Sequence, residues 1–280
     1  MTAFTLNFWG TNAIDQLETA LSMWRDKFAK VFSILTTSPQ EFQGGEIWKM
    51  ILEIINFLQA TGVSLLVIFF FYGLYKANID YKDMIRPQHL FMMFIRIGVA
   101  QFFVVYGTEF LIGILAFAQS LISGVQTSIT PFNYTIPDNL RTALESADWG
   151  AGMGAFIASI VGTVIILLLS IIIVVIVYGR FFKIFLLAAI SPIPMAGFAS
   201  EATESLATNF LKTFIGECLR GLIILIACMI FSVFASSPTG MTGTAGAMTW
   251  MYVGEVAMQM LLLVVTVKGS DMLIRQTFGI

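Results

Sequence analysis

The chain has 280 residues, 58% of them hydrophobic and 11% charged, with a formal net charge of −2. A soluble domain carries about 25% charged residues, so this chain has too little polar surface to cover itself in water and must be solvated by lipid. The net charge says nothing about nucleic acid, and there is no basic tail or stripe to read as a DNA-binding face.

No basic start followed by an apolar core opens the first thirty residues, so no cleavable signal peptide is expected. Over residues 14–35, Leu17, Leu21, Trp24, Phe28, Val31 or Phe32, and Leu35 recur at helical spacing, with Glu18, Arg25, Asp26 and Lys30 between them. This predicts an amphipathic helix too charged to span lipid. It is expected to lie in the membrane interface with Trp24 at headgroup level, or else to pack on a neighbouring subunit. Residues 36–45 read as a loop with strong breakers. The expected organisation is therefore an extracytoplasmic helix and linker over 1–45, then a polytopic transmembrane domain over 46–280.

A first span is uncharged from Ile54 to Tyr75, is extended backwards by Trp48 and Glu53, and ends in the polar residues 76–88. Residues 89–126 are apolar for longer than the roughly 20 residues one perpendicular helix needs. Here "YGTE", residues 106–109, is a local polar break; a span is expected up to about that point, then a continuing helix that projects from or lies along the membrane surface. Residues 127–152 form a loop containing Pro131, in which Asp148 or Ser146 could cap the next helix and Trp149 fits an interfacial aromatic. Nothing between Asp148 and Arg180 is charged, which predicts a third span.

Residues 179–200, "GRFFKIFLLAAISPIPMAGFAS", begin with Arg180 and Lys183, run apolar, and then carry Ser191, Pro192 and Pro194. Each proline in a helix interior costs about 3 kcal/mol, through a lost hydrogen bond and a clash. A fourth span, residues 210–235, follows Lys212, and a turn over 236–248 leads to a fifth, residues 249–267, ending at Lys268. Cys218 and Cys228 are separated by about 15 Å of helix rise, beyond disulfide reach.

Lys and Arg counts orient the spans. Lys76, Lys82 and Arg86 mark one connection, Arg180 and Lys183 another, and Lys268 and Arg275 the tail, whereas 127–152 holds only Arg141 against Asp138, Glu145 and Asp148. All basic connections reach the cytoplasmic side if the proline segment does not cross. The expected architecture is thus an all-α integral membrane protein. It has about five transmembrane helices, a proline-broken re-entrant or interfacial segment and the N-terminal amphipathic helix, with the N-terminus outside and the C-terminus cytoplasmic. A kinked sixth helix is the alternative. Non-helical backbone at membrane depth needs protein or water around it, so the break at Ser191, Pro192 and Pro194 is expected to face neighbouring subunits or a lumen.

Little in the sequence suggests catalysis. His89 opens an apolar segment beside Pro87, no His, Cys and acidic residues share metal spacing, and "AGMGAF", residues 151–156, lacks the ending of a phosphate loop. No nucleophile–base pair stands out, so neither enzyme nor cofactor is expected. The ionisable residues inside spans are more informative, because a charge at mid-bilayer costs about 2.5–3.5 kcal/mol even on a lenient scale. Arg96, Glu109, Glu217, Arg220 and Glu255 are expected to face the bundle interior, another subunit or water. Glu217 and Arg220, three apart, can pair locally, or Arg220 can snorkel to the surface. Glu255 has no charged neighbour at helical spacing and is the foremost candidate for a lumen or inter-subunit position. Arg96 and Glu109, thirteen residues apart, are not expected to pair.

The stretch "VYGRFFKIFLLAAISPIPMA", residues 177–196, resembles the TrbL-like polytopic membrane subunits of conjugative type IV secretion systems. Tyr178, Gly179, Arg180, Pro192, Ile193, Pro194 and Met195 carry the pattern. "FAQSLISG", residues 117–124, and the closing "KGSDMLIRQTFG", residues 268–279, are similar as well, whereas "GECLRG", residues 216–221, is more charged than the family pattern. The resemblance implies a non-enzymatic channel subunit of the bacterial plasma membrane, forming a homo-oligomeric ring. It further implies partners among the other secretion membrane subunits, a cytoplasmic ATPase, and transient contact with the transferred relaxase–DNA or protein. The residues alone leave a second class open, a small-solute transporter or ion channel whose broken helix builds the binding site. Against that class, no internal repeat is visible.

Overall fold

The computed structural model describes residues 8–77, 87–126, 134–235 and 241–279. Lys82, Arg86, Pro131 and most of the turn before Met241, together with the His89 side chain, lie outside what is described. The elements are α1 (Phe8–Thr36), α2 (Glu46–Ala77) behind a 3-10 turn (Phe42–Gly45), α3 (Pro87–Gln126) and α4 (Asp138–Glu145). They continue as α5 (Trp149–Ile190), a helical turn α6 (Pro192–Met195) running into a 3-10 turn (Ala196–Ala199), α7 (Glu204–Phe234) and α8 (Ala245–Phe278). Among the described residues there is no strand, and five helices are long and apolar enough to cross a membrane: α2, α3, α5, α7 and α8. The protein is an all-α integral membrane protein.

The chain divides into two compact units. One contains Met1–Leu35, Val125–Tyr178 and Ile223–Ser270, and the other Thr36–Gly124, Gly179–Leu222 and Asp271–Ile280.

In the first unit, α1 is longer than its periodicity predicts, and its apolar face packs on other helices of the chain. Leu17, Trp24 and Val31 are fully buried, and Trp24 stacks on Phe28 while meeting the edge of Phe231 from α7. The Gln16 carbonyl accepts the Thr163 hydroxyl of α5 at 3.4 Å, and Glu18 forms an ion pair with Arg141 of α4. The apolar stripe expected to seek headgroups is covered by the protein's own helices, while Glu18, Arg25, Asp26 and Lys30 stay exposed. Small residues let α5 and α8 approach. A Cβ on Gly162 would stand 2.7 Å from Val253, and one on Gly246 would stand 3.3 Å from the Ala151 carbonyl. The small residues of "AGMGAF" therefore serve helix packing. Asp148 caps α5, its carboxylate accepting the Ala151 N–H at 3.1 Å.

In the second unit, α3 passes through residues 106–109 without interruption. The polar stretch leaves the helix unbroken, and its glycine is a packing position. Gly107 faces Met195, whose Sδ would lie 2.5 Å from a Cβ at that site. The amide of Gln59 on α2 donates to the Val104 and Val105 carbonyls of α3 at 3.2 and 3.0 Å.

The proline break itself is local. Helix α5 continues past Arg180 to Ile190, and the Ser191 N–H then bonds back to the Ala188 carbonyl at 3.2 Å. Pro192 and Pro194 fall in the first turn of α6, where an N–H has no intrahelical acceptor to reach. The turn is buried at Ser191, Pro192, Pro194 and Met195, with Ile193 half-buried. Its cover within the chain comes from α2 and α3. Gly62 of α2 lies where a Cβ would be 2.8 Å from the Pro192 carbonyl oxygen, Gly73 abuts Ser200, and Phe198 stacks on Phe103 of α3. Gly62 and Gly73 are eleven residues apart, so they share one helix face.

Candidate functional site

Three helices bring a charge pair each to one place in the second unit. Helical spacing puts Arg180 and Lys183 on one face of α5, Glu217 and Arg220 on one face of α7, and Asp271 and Arg275 on one face of α8. Lys183 Nζ lies 3.0 Å from Glu217 Oε1 and 2.9 Å from Asp271 Oδ1. Arg220 Nη1 lies 3.4 Å from Glu217 Oε2 and 3.2 Å from the same Asp271 oxygen, and Arg275 Nε reaches Asp271 Oδ2 at 3.1 Å. Glu217 and Arg220 are nearly sealed, with 8% and 7% of their side chains exposed, whereas Lys183 and Arg275 retain 43% and 59%. The cluster thus has a dry centre and a wet rim.

Arg180 enters from beside this network. Fully buried, it donates through Nε to the Glu217 carbonyl at 3.3 Å and through Nη2 to the Cys218 carbonyl at 3.1 Å, while Nη1 has no hydrogen-bond partner among the described residues. Its guanidinium also lies 5.5 Å from the Phe181 ring centroid. Two carbonyls and one aromatic face offset part of the desolvation of a buried cation. The close approach depends on Gly221, since a Cβ there would stand 2.5 Å from both Arg180 Nη atoms. Gly216, at the other end of "GECLRG", clears Ile274 of α8 in the same way. Every residue of that motif except Leu219 therefore has a partner on α5 or α8.

The other residues singled out from sequence are dispersed. Arg96 of α3 pairs with Glu204 at 2.8 Å and with Glu201 at 3.7 Å, and Glu109 is exposed farther along the same helix. Tyr178 belongs to the first unit, where the Lys30 ammonium lies 5.7 Å from its ring centroid. Gly179 is exposed with open space where a Cβ would be. Glu255 is exposed on α8 in the first unit, on the same helix face as the buried Tyr252 and Gln259. Lys183, Asp271 and Arg275 were visible in the sequence only as topology markers or tail residues. The signal that could have joined them is the repetition of a charge pair at helical spacing in three separate apolar helices.

A family model described as TrbL/VirB6 plasmid conjugal transfer like protein matches residues 25–192, more than half of the chain. The chain belongs to the TrbL/VirB6 family. No curated protein and no solved structure matches it. The match takes in α2, α3, α4, α5 and the C-terminal part of α1, and it ends at Pro192, within the proline turn. Of the clasp, Arg180 and Lys183 fall inside the TrbL/VirB6 match, and Glu217, Arg220, Asp271 and Arg275 fall beyond it. The family is that of a structural membrane component of conjugal transfer and type IV secretion, working among other membrane subunits. This chain is accordingly a multi-pass membrane protein of that apparatus.

Proposed function

We propose that this TrbL/VirB6 protein is a channel subunit of a type IV secretion machine in the bacterial plasma membrane. It assembles as a homo-oligomeric ring with other secretion membrane subunits and a cytoplasmic ATPase, and helps relaxase–DNA or protein cross. The observation that carries this reading is the family match over residues 25–192 on a chain with five candidate spans. The Lys and Arg asymmetry supports an outside N-terminus and a cytoplasmic C-terminus, with the proline turn re-entering from the cytoplasmic side.

In that arrangement the clasp on α5, α7 and α8 is mechanical. It fixes the rotation of three helices about their axes, because each charge pair satisfies its partners in one register only. The proline turn acts likewise, locking α2 and α3 through Gly62, Gly73 and Gly107. A rigid wall suits a subunit that holds a path open while others supply the energy.

Deleting the gene from a donor strain tests the assignment. Transfer of the mobile element falls by orders of magnitude at unchanged growth, and the chain supplied in trans restores it. Normal transfer from the deletion strain would overturn the proposal.

A further inference from the structure

Non-helical backbone also enters the first unit, at a place the sequence reads as a surface loop. Residues 134–137, just before α4, carry no helix; two hydrogen bonds join them to α8, and a third joins Asn139 of α4 to the residues before α8. The Asn139 amide donates to the Met241 carbonyl at 3.2 Å, the Tyr252 hydroxyl donates to the Thr135 carbonyl at 3.4 Å, and the Tyr134 hydroxyl donates to Gln259 Oε1 at 2.5 Å. As residue numbers fall from 139 to 134, the partners advance from before the start of α8 to Gln259. The segment therefore runs antiparallel down the helix.

Helix rise gives its depth. Gln259 precedes Lys268 by nine residues, about 14 Å, and follows Ala245 by fourteen, about 21 Å. Against a hydrocarbon core of about 30 Å, the Tyr134 hydroxyl sits near mid-span. Tyr134 is buried, but Thr135 and Glu255 are exposed, and Glu255 shares the α8 seam with Tyr252 and Gln259. The Thr135 carbonyl meets Tyr252, about 10 Å nearer the start of α8 than Gln259, and Glu255 lies between those two levels. Lipid can cover neither a carboxylate nor non-helical backbone inside the span without a large penalty.

We propose that residues 134–137, with Tyr252, Glu255 and Gln259 of α8, bound a water-filled crevice that enters the span from the end where α8 begins. The Glu255 carboxylate makes it favour cationic solutes. The compartment it opens to rests on the orientation proposed above, which places the mouth outside.

Thiol accessibility in donor cells carrying the whole apparatus tests this, with Cys218 and Cys228 replaced by alanine. A Thr135→Cys chain reacts from outside with membrane-impermeant methanethiosulfonates. The cationic reagent is faster than the anionic one by about tenfold, and Glu255→Gln reduces that ratio severalfold. Thr242→Cys reports access at the mouth, and Leu261→Cys, exposed elsewhere on α8, stays unreactive. Should Thr135→Cys fail to accumulate, Glu255→Cys decides in its place. Labelling confined to inverted vesicles upholds the crevice and overturns the orientation. No labelling from either side, with Thr242→Cys reactive, overturns the crevice, and a ratio indifferent to Glu255→Gln overturns its charge preference.

Discussion

Arg180 and Gly221 occupy each other's space: the guanidinium of one fills the volume that a Cβ on the other would need, with both Nη atoms 2.5 Å from that position. The contact joins α5 to α7 and lets Arg180 reach the Glu217 and Cys218 carbonyls. Gly221→Ala is therefore expected to destabilise the purified protein by about 1–3 kcal/mol, the usual range for overpacking. Arg180→Ala removes the obstacle, so the double variant should be less destabilised than the sum of the single ones. Melting temperatures of the four proteins in one detergent check this, and additivity would show that the contact is not formed.

Burial ranks the members of the clasp. Breaking a sealed pair strands its partner and costs about 3–5 kcal/mol, whereas an exposed pair contributes about 0–1. Glu217→Gln should lower the melting temperature most, Asp271→Asn less, and Arg275→Ala least, following side-chain exposures of 8%, 31% and 59%. Raising salt should diminish the Arg275 effect and leave the Glu217 effect largely intact. An order inverted between Glu217 and Arg275 would contradict the dry-centre arrangement.

The glycines facing the proline turn differ in what they meet. Gly62→Ala drives a Cβ to 2.8 Å from the backbone oxygen of Pro192, which cannot move alone, while Gly107→Ala meets only the flexible Met195 side chain. The first substitution should abolish transfer or accumulation, and the second should weaken it. Gly98→Ala and Gly113→Ala, open on the same helix as Gly107, should be neutral or stabilising by up to about 1 kcal/mol through helix propensity. Immunoblot levels and transfer frequency of the four variants give the comparison.

The Tyr134 hydroxyl donates to the side-chain oxygen of buried Gln259. Tyr134→Phe keeps the ring and leaves that acceptor without its donor, a loss of about 1–3 kcal/mol. The double variant Tyr134→Phe with Gln259→Leu should recover part of it. Thermal melting in detergent reads both.

Lys212, exposed on α7, separates the topologies. If the proline turn returns to the side it came from, Lys212→Cys reacts with an impermeant thiol reagent in inverted vesicles and stays silent in intact cells. The reverse result would mean that residues 184–199 cross, inverting α7 and α8.

The sequence by itself determined the solvent, the spans and the family. Those rest on local quantities: apolar length against bilayer thickness, charge counts between spans, and the "YGR" and "PIPM" signatures on α5 and α6. Periodicity also placed α1 and its apolar face. What covered that face could not be read, because a stripe containing Trp24 fits a lipid interface and a helix groove equally well. Only tertiary structure decided that α5 and α7 fill the role. It likewise made Gly107 a packing position, and turned Glu217 with Arg220 from an isolated pair into part of a three-helix clasp with Arg180, Lys183 and Asp271. Each of these depends on residues far apart in the chain that meet only after the helices have packed, a relation that hydropathy and spacing along one helix do not contain.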